Sequence, residues 1–187
     1  MLAMAGVGEA DLYDAAIDTT KARFRWLLVN LFTAILASLV IGLFETTLQQ
    51  VVALAILMPI VASMGGIAGT QSLTVLIRAI AMGQINERTE VWLVRREILV
   101  SFINSLLWAA VIAVIASYWF SDIRLGMIIA FAIVINLITA GIAGACLPLL
   151  LDRLDIDPAL AGGVVLTTIT DVVGFFAFLG LAAYFYR

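Results

Sequence analysis

Long stretches without a single charged side chain limit what this chain can fold into more than any other feature. Leu27 to Phe44, Thr46 to Ile77, Ile98 to Ser121 and Leu125 to Leu151 contain no Asp, Glu, Lys or Arg, and Leu160 to Tyr186 contains one, Asp171. A helix crosses a hydrocarbon core of roughly 30 Å with about 20 apolar residues, so each run is long enough to span a bilayer. A membrane barrel would need alternating apolar and polar residues, which these runs lack. The expectation is an all-α, polytopic membrane protein with five transmembrane helices. With 64% of its 187 residues apolar and 12% charged, the composition excludes an ordinary water-soluble domain.

The second run is too long for one straight span at about 1.5 Å per residue, and it contains Pro59, Gly65, Gly66 and Gly69. It reads as one long helix, locally interrupted. Lys21, Arg23, Arg25, Arg78, Arg88, Arg95, Arg96 and Arg153 fall on one side of the spans, and Arg124 and Arg187 on the other. Positive charge is retained on cytoplasmic flanks, so the N-terminus is expected in the cytoplasm and the C-terminus outside, in the inner (plasma) membrane. Trp26, Trp92 and Trp119 near the span ends suit the headgroup layer. Residues 1–25 read as a cytoplasmic segment ending in an amphipathic linker helix, Ala10 to Arg25, and residues 26–187 as the membrane domain. The charge order is wrong for a signal peptide. The opening Met-Leu-Ala-Met reads either as a start imposed on a longer protein or as a genuine one.

Several kinds of chemistry are excluded by what is missing. One cysteine, Cys146, cannot form an intrachain disulfide and reads as a small core residue; no histidine is present to act as a general base or metal ligand. A net charge of −3 offers no basic face to nucleic acid. An intramembrane aspartyl protease needs two carboxylates sharing a proton, and the spans hold one, so no enzyme is expected. Any ion site must be built from oxygens.

Asp171 is the natural centre of such a site, because a carboxylate at the bilayer centre costs several kcal/mol and persists where it has a use. The alternative is a neutral acid hydrogen-bonded to a neighbouring helix. Gly163 and Thr167 lie eight and four residues earlier on the same helical face, Gly174 lies three later, and Thr168 adjoins them. Oxygen ligands of this kind suit a hard cation such as Mg²⁺ or Ca²⁺. The second feature is Pro59 to Gln71. Its glycines either tolerate unwound backbone whose carbonyls line a cavity, or allow close helix packing of the small-xxx-small type, which Gly65 and Gly69 fit. Thr70, Gln71 and Thr74 are more polar than a lipid-facing surface allows, which favours a cavity. Asn30, Asn104 and Asn136 read as interhelical hydrogen-bonding residues.

The glycine segment after Pro59, the Asp157-Pro-Ala159 turn and Thr167-Thr-Ile-Thr-Asp-Val-Val-Gly174 resemble the transmembrane domain of the MgtE magnesium channel family, whose eukaryotic relatives are solute carriers. The resemblance runs from about residue 11 to the end. It implies five helices per protomer, a homodimer, and a pore for hydrated Mg²⁺ (Mn²⁺ or Co²⁺ being possible competitors) lined by the second and fifth spans of both copies. By position, Asp171 would hold the ion, with Gly163 and Thr167 offering oxygens. Gly65, Gly66, Gly69, Thr70, Gln71, Thr74, Thr168 and Gly174 would line the path. Ile67 stands where the family usually has Asn, which puts ion selectivity in question. The family's cytosolic N-terminal and CBS sensor domains would lie upstream, so the chain is either a pore-domain fragment or a member without that sensor. Charge supports the dimer independently: two copies of Asp171 balance one divalent ion on a two-fold axis. The rival of another class is a proton-coupled divalent-cation carrier using Asp171 as its proton or ion site.

Overall fold

A computed structural model of the chain describes residues 16–186, and the helices α1 (Ala16–Gly42), α2 (Glu45–Gln50), α3 (Ala53–Ala81), α4 (Glu87–Phe120), α5 (Ile123–Arg153) and α6 (Pro158–Phe185) take up nearly all of them. No strand occurs among the described residues. All helices except α2 are long and apolar enough to cross a membrane, which gives the five-span, all-α architecture.

An apolar run does not stop itself, so polar caps set the ends. Asn86 accepts from the backbone N–H of Arg88 and Thr89 to start α4, and Asp122 accepts from Arg124 and Leu125 to start α5. Ser121, in the left-handed region at φ 52°, ends α4 just before that cap. At the start of α6, Asp157 accepts from the N–H of Ala159, and Pro158 occupies the first turn, where its missing N–H is no loss. The Asp-Pro-Ala turn is therefore a helix start. Tyr186, just beyond α6, donates its hydroxyl to the Asp122 carboxylate and ties the α4–α5 turn to the end of α6.

One expectation is corrected. The second run is broken at Val51–Val52, between α2 and α3, and not at its glycines: α3 is continuous through Pro59, Gly65, Gly66 and Gly69. Pro59 sits in the second turn of α3, where its missing N–H costs one i→i−4 bond without ending the helix. α1 runs without a break from Ala16 to Gly42, through residue 25. The first part of the expected linker helix lies outside the described residues.

α5 is the most deeply buried helix and packs on α3, α4 and α6, while α1 packs on α6. Leu57 and Val61 of α3, Ile129 and Ile133 of α5 and Phe178 and Leu179 of α6 form the centre of the core. The α3–α5 contact is backbone against backbone at Gly144, where a Cβ would lie 2.5 Å from the Gly69 carbonyl oxygen. Leu27, Leu31, Phe32 and Leu39 of α1 and Leu107 and Val114 of α4 stay exposed, as acyl chains require.

Candidate cation site

Midway along α6, Asp171 faces an open groove of ≈ 830 Å³ between α3 and α6. Residues recurring at helical spacing on α3 form one wall: Ser63, Gly66, Ile67, Thr70, Gln71 and Thr74. Thr167, one turn before Asp171, completes the other. Asp171 is half-buried, and among the described residues its carboxylate accepts no hydrogen bond and pairs with no cation. The helices meet closely at Gly66, where a Cβ would sit 3.9 Å from Cγ2 of Thr167.

The threonines of both walls are committed as donors to their own helices. Thr70 gives its hydroxyl hydrogen to the Gly66 carbonyl at 2.7 Å, Thr74 to Thr70 at 2.7 Å, and Thr167 shares its hydrogen between Gly163 and Val164, both at 3.1 Å. A hydroxyl has one hydrogen and two lone pairs, so each oxygen is left as an acceptor. Such a wall accepts hydrogen bonds from water, and water bound to a cation is a strong donor. A smaller trough of ≈ 360 Å³ continues past Thr70 and Thr167 towards the start of α6, where it meets Trp26 and Asn30 of α1. Gly163 opens onto this trough, and a Cβ there would meet nothing within 4 Å.

Gly65, Gly69 and Gly174 lie away from the groove, and their position corrects the expectation that they line it. A Cβ on Gly65 would lie 2.3 Å from Nδ2 of Asn136, one on Gly174 2.7 Å from the same atom, and one on Gly69 2.8 Å from Leu166. These glycines make room inside the bundle. Asn136 of α5, fully buried, fills the space beside two of them and donates Nδ2 to the Val61 carbonyl at 2.8 Å. Thr168 is also off the groove, its hydroxyl bonded to Val164 at 2.7 Å. Asn30 and Asn104, unlike Asn136, are exposed. Cys146 is exposed too, on the wall of a separate groove, and is not a core residue.

One buried carboxylate escaped the sequence reading. Glu97 of α4 is buried and accepts from Oγ of Ser72 at 2.9 Å, with Nη1 of Arg96 3.4 Å from its other oxygen. It immediately precedes the third charge-free run and so passes for a flanking residue. The readable signal is polar residues every fourth position, since Glu97, Ser101 and Ser105 are all buried on one face of α4.

Fold and groove together define a five-span helical membrane protein with an acidic residue at mid-span in an open trough bordered by threonines. The profile of MgtE, a divalent cation transporter family, matches residues 58–181, and the chain belongs to that family. It is similar to the magnesium transporter MgtE of Bacillus subtilis (strain 168), 36% identical over 163 residues, covering 87% of this chain and 36% of that protein. It is also similar to the magnesium transporter MgtE of Thermus thermophilus, 33% identical over 161 residues (86% of this chain, 36% of the relative), and to that of Enterococcus faecalis, 27% identical over 184 residues (98% and 41%). The chain thus spans well under half the length of these relatives.

Proposed function

We propose that the chain is the ion-conducting domain of a Mg²⁺ channel or transporter, acting as a homodimer in which two copies of the α3–α6 groove face one another. The observation that carries this reading is the Asp171 carboxylate, placed at mid-span, turned to an open groove and left without a partner among the described residues. A single carboxylate leaves a divalent ion with excess charge in a low dielectric, whereas two copies across a two-fold axis balance it. No group of three acidic, Cys or His residues occurs among the described residues, and Asp171 is the one carboxylate lining the groove of each copy. Mg²⁺ gives up water reluctantly and usually keeps several waters. Recognition then runs through its water shell, with Thr70, Thr74 and Thr167 accepting hydrogen bonds from the bound waters and Asp171 supplying charge.

Gly66 keeps the path open, Gln71 adds an amide to the wall, and the trough beside Gly163 forms one approach to the Asp171 level. The excess of Lys and Arg at the end formed by the starts of α1, α4 and α6 supports assigning that end to the cytoplasm, in an inner (plasma) membrane. A cytosolic CBS-containing regulatory region is the partner expected ahead of α1. The test is divalent flux into liposomes holding the purified chain. Asp171→Asn keeps size and hydrogen bonding but removes the charge, and is expected to cut Mg²⁺ flux at least tenfold while the protein stays folded. Undiminished flux in a folded Asp171→Asn protein sinks the assignment, and flux that requires an imposed proton gradient points to the coupled carrier.

A further inference from the structure

A second groove, of ≈ 730 Å³, lies on the outside of the bundle between α4 and α5, with Ile169 of α6 at its back. Its two ends differ. At the end of the bundle rich in basic residues it is rimmed by Arg95 and Arg153, and deeper in the membrane Thr139, Ile142, Cys146 and Leu147 of α5 line it. Along α5 it extends from Arg153 to Thr139, about 20 Å at ~1.5 Å per residue. That exceeds the depth of one leaflet, about half of a hydrocarbon core of roughly 30 Å.

The rim charges do not cancel. Nη2 of Arg153 is held by Oε1 of Glu90 at 2.6 Å, while Arg95 pairs with no carboxylate among the described residues, so the rim keeps one positive charge in excess. Trp92 and Arg96, stacked at 5.9 Å on the same turns of α4, mark the headgroup level beside it. A phosphodiester carries one negative charge and accepts from guanidinium donors in fixed geometry, and basic pockets between spans on the cytoplasmic side take anionic headgroups. Glu90 is the one carboxylate among the described residues lining the groove, and its engagement by Arg153 leaves none there to select an ammonium headgroup.

We propose that this groove binds an anionic phospholipid, its phosphate on Arg95 and Arg153 and one acyl chain along α5 past Cys146. This site is separate from the α3–α6 groove and does not depend on the transport reading.

The experiment is native mass spectrometry of the full chain, delipidated and then given phosphatidylglycerol, phosphatidylethanolamine or phosphatidylcholine with identical acyl chains. Phosphatidylglycerol is expected to be retained several-fold more than the other two. Arg95→Gln with Arg153→Gln is expected to bring the three to parity, and Arg95→Lys with Arg153→Lys to keep a preference even if the glutamine pair fails to fold. Cys146→Trp, which fills the groove below the rim, is expected to reduce retention of all three. An unchanged preference in a folded glutamine pair, or equal retention of phosphatidylethanolamine, overturns the proposal. So does displacement of the lipid by excess inorganic phosphate, which would make the rim a free-anion site. Cys146 is the chain's one cysteine, so efficient Cys146–Cys146 disulfide formation in membranes would place a second copy on the groove and equally overturn it.

Discussion

Gly65 and Gly66 are neighbours with opposite duties, and the difference is a matter of which way each would point a methyl group. A Cβ on Gly65 enters the space of the Asn136 amide at 2.3 Å, where the neighbour is a buried side chain bonded to the Val61 carbonyl, so the bond must break or α5 must move. A Cβ on Gly66 meets Thr167 at 3.9 Å, an ordinary contact. Gly65→Ala is therefore expected to destabilise by about 1–3 kcal/mol, from overpacking and a buried polar group left unpaired. Gly66→Ala is expected to leave thermal stability in detergent within about 0.5 kcal/mol, as surface-like changes do, while lowering Mg²⁺ flux through a narrowed groove. Asn136→Ala should recover part of the Gly65→Ala loss, because it removes the group that the new methyl strikes. Equal stability of the two single variants, or no coupling with Asn136, sinks this division of roles. Pattern alone cannot separate these glycines, since both sit in a small-residue stripe, and what distinguishes them is the position of a side chain from another helix.

At the scale of elements, the spans were legible because burial in lipid demands long apolar runs, and the faces of α3 and α6 were legible because helical spacing groups Gly66, Thr70 and Thr74, and Thr167 with Asp171. The break at Val51–Val52 was not, because no Pro, Gly or charge marks it, while Pro59 and the glycines that looked like breakers are absorbed by a helix packed against small residues of α5. Charges between spans reveal their purpose through caps. Asp122 starts α5 and also accepts from Tyr186; that bond, with the N–H groups of Leu125 and Arg124, holds its carboxyl below the usual carboxylate range. Burial, and then the same bond, push the Tyr186 hydroxyl up to about 12. A lowered carboxyl value stabilises the fold above the unfolded value of about 3.9, and this is lost as pH falls through the folded value. A raised tyrosine value stabilises it below about 10, and this is lost as pH rises towards 12. The link should therefore add a stability plateau between about pH 4 and pH 10. Tyr186→Phe is expected to remove the alkaline fall and shrink the acid one in apparent melting temperature against pH, and superposable wild-type and variant profiles would count against the link.

On the proposed homodimer reading, one chain is half of the transporting unit. Composition and spacing place one acidic residue at mid-span, but among the described residues nothing offers it a counter-charge, and the groove it faces stays open along α3. Polar groups at that depth must be buried in protein or line water, and the proposed homodimer would give the Thr70, Gln71 and Thr74 wall either a facing copy or a water-filled path. A two-fold arrangement satisfies both demands, since each α3–α6 groove becomes the other's far wall. The prediction is geometric. In a Cys146→Ser background, Ile67→Cys on the groove rim, where Ile67 is 59% exposed, should join two chains through a short bis-maleimide in native membranes. Trp108→Cys, equally accessible on the outward face of α4 at 48% exposure, should not. The doubled species from Ile67→Cys should also lose Mg²⁺ flux, because the bridge would cross the proposed ion path. Cross-linking at Trp108→Cys with none at Ile67→Cys would move the dimer contact to the α4 face, leaving two separate grooves with one carboxylate each and no shared ion between them.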